Sequence, residues 1–114
     1  MHFRKLEVYQ IAIRFLDLAY RLAAKLPKGS SGALRDQLRR AALSIPLNIA
    51  EVSGKTTADE ERRFFAIARG SAMECAALID ACRVTGCDAV ADLDQGDEWL
   101  LSIVRILSKL ARSR

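Results

Sequence analysis

Apolar residues recur every three or four positions along most of the chain, the spacing of one face of an α-helix. Four such runs stand between turn signals. The first covers Arg4 to Leu26, with Val8, Ala12, Phe15, Ala19, Leu22 and Leu26 as its stripe. Tyr9, Ile13, Leu16 and Tyr20 lie beside that stripe and widen the apolar face. The opposite side reads Gln10, Arg14, Asp17, Arg21, Lys25, with charges of alternating sign at helical spacing. Pro27 and Gly29 close the run. Ser30 or Ser31 can cap the next helix.

The second run carries Leu34, Leu38, Ala41, Ala42, Ile45, Ile49 and Val52 on one face. Pro46 stands inside it, where a proline removes a backbone hydrogen bond and costs roughly 3 kcal/mol. The apolar face continues past it, so the expectation is one kinked helix or two abutting ones. Asn48, at the edge of that face, can bond backbone groups the proline leaves free. Arg35 and Arg39 share one flank, while Arg40, Leu47 and Glu51 share the outward side.

The third run predicts a helix over Ala58–Thr85, opened by Thr57 and Glu60 as a capping box and closed by Gly86. Its core stripe reads Phe64, Ala68, Ser71, Cys75, Leu78, Cys82. A second stripe, Ala66, Gly70, Met73, Ala77 and Ala81, recurs on the opposite face. A helix that is apolar all round is usually buried all round. The stripe is mostly small, so another backbone can come close. It predicts an oligomer interface made by Leu47, Arg62, Ala66, Arg69, Gly70, Met73 and Ala77, with Arg62 and Arg69 suited to intersubunit ion pairs. Residues 87–92 read as a linker. The last helix then runs from Leu93 or Asp94 to Ala111, burying Trp99, Leu100, Ile103, Ile106, Leu107 and Leu110. Asp92, Asp94, Asp97 and Glu98 crowd its start and Arg105, Lys109, Arg112 and Arg114 its end, complementing the helix dipole.

No strand pattern or internal repeat stands out. Short connections favour antiparallel neighbours, so the fold class is all-α: an antiparallel, up-down four-helix bundle forming one domain over residues 1–114. The 114 residues carry 18 basic and 14 acidic side chains, a net charge of +4, which permits anionic partners without demanding them. No run is long enough to span a membrane, and charges interrupt any signal segment, so the expected location is the cytoplasm. Cys75 and Cys82 lie about 10 Å apart along one helix, too far to bridge.

Candidate chemistry is sparse. Gly54-Lys55-Thr56 resembles the end of a phosphate-binding loop, but the glycine five positions earlier is replaced by Ile49 and a helix precedes it. Asp92 to Asp97 resembles a calcium loop with its glycine one position early and no glutamate at the twelfth place. His2 is the only histidine, and the cysteines lack zinc-ligand spacing. No enzyme, metal, cofactor or small-molecule substrate is indicated. Arg35, Arg39 and Arg40 are the candidates for contact with structured RNA or DNA, since a guanidinium matches phosphate bidentately. Protein scaffolding, with arginines in intersubunit ion pairs, is the other class the sequence leaves open.

Leu38-Arg39-Arg40-Ala41-Ala42, followed by Ser44-Ile45-Pro46 and Asn48-Ile49-Ala50-Glu51, resembles the signature of the four-helix-bundle family of 23S rRNA-intervening-sequence proteins. Pro46, Asn48 and Glu51 are the motif positions. Phe3 to Tyr9 resembles that family's start, with Tyr9 where tryptophan is usual. Phe64 and the run Ala68 to Glu74 resemble its third helix. The resemblance extends to about Gly86. It implies an up-down four-helix bundle that assembles into a homo-oligomeric ring, a pentamer, and it implies no particular activity.

Overall fold

The first turn of the chain, His2–Lys5, is a 3-10 helix that tucks Phe3 under Tyr9, the rings meeting edge to face at 5.0 Å. Leu6 is extended, so helix α1 spans Glu7–Lys25 and starts three residues later than the sequence pattern suggests. The computed structural model describes residues 2–29 and 32–112. The cap serines Ser30 and Ser31, and the terminal Arg114, lie outside the described residues.

Helix α2, Gly32–Glu51, runs unbroken through Pro46 and passes into a 3-10 turn at Val52–Gly54. It is one helix, and the proline ring is buried within it. Asn48 does bond a backbone carbonyl, but the one four residues back. Its Nδ2 donates to Ser44 O at 2.8 Å and to Ser44 Oγ at 3.0 Å. The Ser44 hydroxyl meets that of Ser71 at 2.8 Å, which joins α2 to α3 through a small polar seam.

Helix α3 spans Ala58–Val84. The Thr57 hydroxyl accepts from Glu60 N at 3.2 Å and donates to the Glu60 carboxylate at 3.1 Å. At the far end Gly86 adopts φ 94°, and Cys87 N donates to Cys82 O at 3.0 Å while Gly86 N donates to Arg83 O at 3.3 Å. This is the crossed pair of bonds by which a left-handed glycine ends a helix. Helix α4, Val90–Leu110, takes in part of the stretch expected to be linker. Leu93 is buried in its added turn, and Asp92 bonds Lys25 of α1 at 2.8 Å.

Each helix packs on two neighbours: α1 on α2 and α4, α3 on α2 and α4. Gln37 and Ser44 of α2 meet Glu74 and Ser71 of α3. Arg69 meets Ser108 of α4, and Arg83 meets Asp94 and Asp97. Between α2 and α3, and between α3 and α4, the positions in contact rise on one helix as they fall on the other. The bundle measures 46 × 23 × 22 Å.

The core differs from the sequence expectation in three places. On α3 the buried positions are Phe65, Ala68, Ala72, Cys75, Ile79 and Cys82, while Phe64, Ser71 and Leu78 are half-buried on the α2 side. On α1, Ile13 and Tyr20 are 40% and 44% exposed, and Ile11, Leu18 and Ala23 are buried instead. On α4, Leu110 is exposed and Gly96 is buried. A Cβ at Gly96 would lie 2.8 Å from Ile79 Cδ1 and 3.3 Å from Leu18 Cδ2. The absence of a side chain there lets α4 sit close on α1 and α3.

Candidate functional site

The outward side of α2 is a ridge. Asp36, Arg40, Leu43, Leu47 and Glu51 follow one another at helical spacing, and all are exposed. Leu43 and Leu47 are 38% and 56% exposed, so two leucines stand in solvent between charged neighbours. Glu51, the last residue of α2, is paired to Lys55 just past the following turn at 3.4 Å. Arg40 makes no ion pair with a described residue.

The three arginines of α2 therefore diverge. Arg39 lies over the Tyr20 ring of α1 at 5.7 Å, with Asp36 3.9 Å away. Arg35 is half-buried on the same flank and has no carboxylate partner among the described residues. Arg40 points along the ridge with the leucines. The structure sets Arg35 and Arg39 on one flank and leaves Arg40 apart from them.

The outward side of α3 is a shallow track. Ala66, Gly70, Met73 and Ala77 are all exposed, Met73 by 49%. Apart from its own helix backbone and chain neighbours, no described residue comes within 4 Å of where a Gly70 Cβ would stand. Gly70 thus differs from Gly96: it is a mid-helix glycine with no packing reason inside its own chain. Such a glycine destabilises a helix by roughly 0.5–1 kcal/mol relative to alanine. Arg62 and Arg69 border the track, and each has a partner within the chain: Arg62 bonds Asp59, and Arg69 Nε donates to Ser108 Oγ at 2.7 Å. Beside the track runs a groove of about 200 Å³ lined by Met73, Ala76, Asp97, Leu100, Leu101 and Val104. Leu43, and Leu101 at 53% exposure, are surface residues the sequence reading missed. Their only signal is an apolar residue next to an already complete core stripe.

The remaining motifs resolve into local structure. Gly54 ends the turn after α2, and Lys55 lies over the Phe64 ring at 4.5 Å. Asp94 and Asp97 both accept from Arg83, at 3.0 and 2.8 Å. Their hydrogen bonds, Asp97's first, raise the pKa of the guanidinium. Cys75, Cys82 and Cys87 are buried free thiols. Burial, and then the charge of Glu74, pushes Cys75 up to about 12, which suppresses the nucleophilic thiolate. Among the described residues no three histidine, cysteine or acidic side chains gather as a metal site. No described helix is long and apolar enough to cross a membrane.

A profile of the 23S rRNA-intervening sequence protein family matches residues 4–109. The chain belongs to that family. The match extends past Gly86, where the sequence resemblance ended, to within five residues of the C-terminus. It spans the whole of the ridge and the track, so both surfaces belong to the family domain. A search of the curated proteins returned no match.

Proposed function

We propose that this member of the 23S rRNA-intervening sequence protein family is a non-enzymatic module that assembles with copies of itself. Its α2 arginines, repeated once per copy, hold the phosphates of structured RNA or DNA. The observation that carries the nucleic-acid reading is the charge state of α2. Of its three arginines only Arg39 has a carboxylate within reach among the described residues, at 3.9 Å, so the helix presents cationic charge that those residues leave largely unneutralised. Self-assembly is supported by the exposed α3 track and by the unexplained glycine at its centre. Repetition around an oligomer, such as a ring of five, converts a weak patch into an avid surface.

Such binding is governed by phosphate contact. With Arg35 and Arg39 as two contacts per copy, affinity for duplex should fall roughly 12-fold between 50 and 200 mM salt. Titration of labelled structured RNA and duplex DNA at both salts tests this, and equal affinity at the two salts rejects it. The double variant Arg35→Glu with Arg39→Glu should lose binding and keep the wild-type assembly mass.

A second reading, a protein-interaction scaffold whose arginines form intersubunit ion pairs, is favoured by one observation. Arg40 lies in line with Leu43 and Leu47 and not with the other two arginines. Under that reading Arg40→Glu alters assembly, and Arg35→Glu with Arg39→Glu leaves any partner bound.

A further inference from the structure

The ridge and the α3 face that carries the track match in height, with leucines opposite small residues and opposite charges at two levels. The contacts Gln37 to Glu74 and Ser44 to Ser71 fix which positions of α2 and α3 lie level with one another. Taking the mean of the two, Leu43 is level with Gly70, Leu47 with Ala66 and Glu51 with Arg62. Arg40 is level with the turn that holds Glu74. From Arg40 down the ridge the order is base, leucine, leucine, acid. At the same heights on α3 stand Met73 with Glu74 beside it, Gly70, Ala66 and Arg62; Glu74 lies at the α2 edge of the track, where it accepts from Gln37. A rotation about an axis along the bundle leaves heights unchanged, so such a rotation brings each ridge residue to its complement on another copy.

We propose that the α2 ridge of one copy packs on the α3 track of the next. Leu43 and Leu47 sit over Gly70 and Ala66, with Arg40 toward Glu74 and Glu51 toward Arg62. This deepens the self-assembly reading above and rests on it. Gly70 then has its reason: a leucine seats where any side chain would hold the helices apart. Glu51 pairs with Lys55 past the end of α2 and Arg62 with Asp59 within α3; Glu51 and Asp59 are exposed, and local pairs of this kind are weak enough to exchange partners. Ridge and track are different surfaces, so the contact is head-to-tail, and every added copy leaves one ridge and one track free. That geometry builds closed rings or open chains.

The test uses two variants of the full chain. The ridge variant carries Leu43→Glu and Leu47→Glu; the track variant carries Ala66→Glu and Gly70→Glu. Circular dichroism checks that each is folded, and light scattering gives the mass. Wild type should form a multimer and each variant alone should run as one chain. An equal mixture should run at the mass of two chains, because one intact ridge and one intact track remain and the assembly stops there. A ridge variant that assembles like wild type overturns the proposal, as does a mixture that stays at one chain. A wild type that is one chain at every concentration instead removes self-assembly itself. Gly70→Ala provides a milder check that keeps the helix. It should weaken assembly at least tenfold, and an unchanged dissociation constant overturns the assignment.

Discussion

A methyl group at position 96 would meet Ile79 Cδ1 at 2.8 Å, inside a core where Ile79 and Leu18 are themselves buried. Overpacking of this kind costs about 1–3 kcal/mol, and the better helix propensity of alanine offsets up to about 1 kcal/mol of it. Gly96→Ala should therefore lower stability by roughly 1 kcal/mol and the melting temperature by about 4 °C, measured by thermal unfolding. The two mid-helix glycines, Gly70 and Gly96, were equally visible in the sequence, but their roles were not. Gly96 is sealed between three helices, while the Cβ position of Gly70 is open. Only the packing of other elements distinguishes them, and no local pattern contains that information. Asn48 was expected to bond a group that Pro46 leaves free, which is Ala42 O. It bonds Ser44 O instead, so the carbonyl was foreseen in kind and not in identity. Its link through Ser44 to Ser71 depends on the register of α3, which spacing alone does not give.

At the scale of elements, the helices were legible because apolar period and caps agreed. Thr57 and Glu60 marked the start of α3 in the sequence and form its cap in the structure. Thr57→Ala removes both bonds, and the urea midpoint should drop by an amount equivalent to about 1 kcal/mol with an unchanged slope. The start of α4 was missed because Ala89, its cap residue, makes no side-chain bond that would signal it. The core face of α3 was rotated for another reason. Phe64 and Phe65 are adjacent, and small apolar residues occupy several sides of the helix, so period alone could not choose between faces. The outer track survived that error because it lies opposite either choice. Leu43 escaped notice because its exposure depends on how far α1 covers α2.

At the scale of the whole bundle, one end is tied by charge. Lys25 near the end of α1 holds Asp92 of α4, and its hydrogen bond lowers the carboxyl pKa below the ordinary aspartate range. A carboxyl depressed on folding contributes stability above its unfolded pKa of about 3.9. That contribution disappears as pH falls through the lower folded value. Lys25→Met should raise the Asp92 midpoint in a carboxyl NMR titration and make the acid loss of stability shallower. The proposed assembly surfaces are arranged differently. Ridge and track lie along the sides of the bundle, on helices adjacent to one another, and the proposed contact between copies uses neither end. In such an assembly the ends stay available, and with them Arg35 near the start of α2.

The close approach at Gly96 also leaves a mark that can be read without any protein in hand. Ile79 and position 96 share one volume. A lineage that acquires alanine at 96 gains room by trimming 79 to valine, and a lineage that keeps glycine is free to keep isoleucine. Homologous sequences should therefore show these two positions, 17 residues apart and on different helices, changing together, and changing in opposite directions of size.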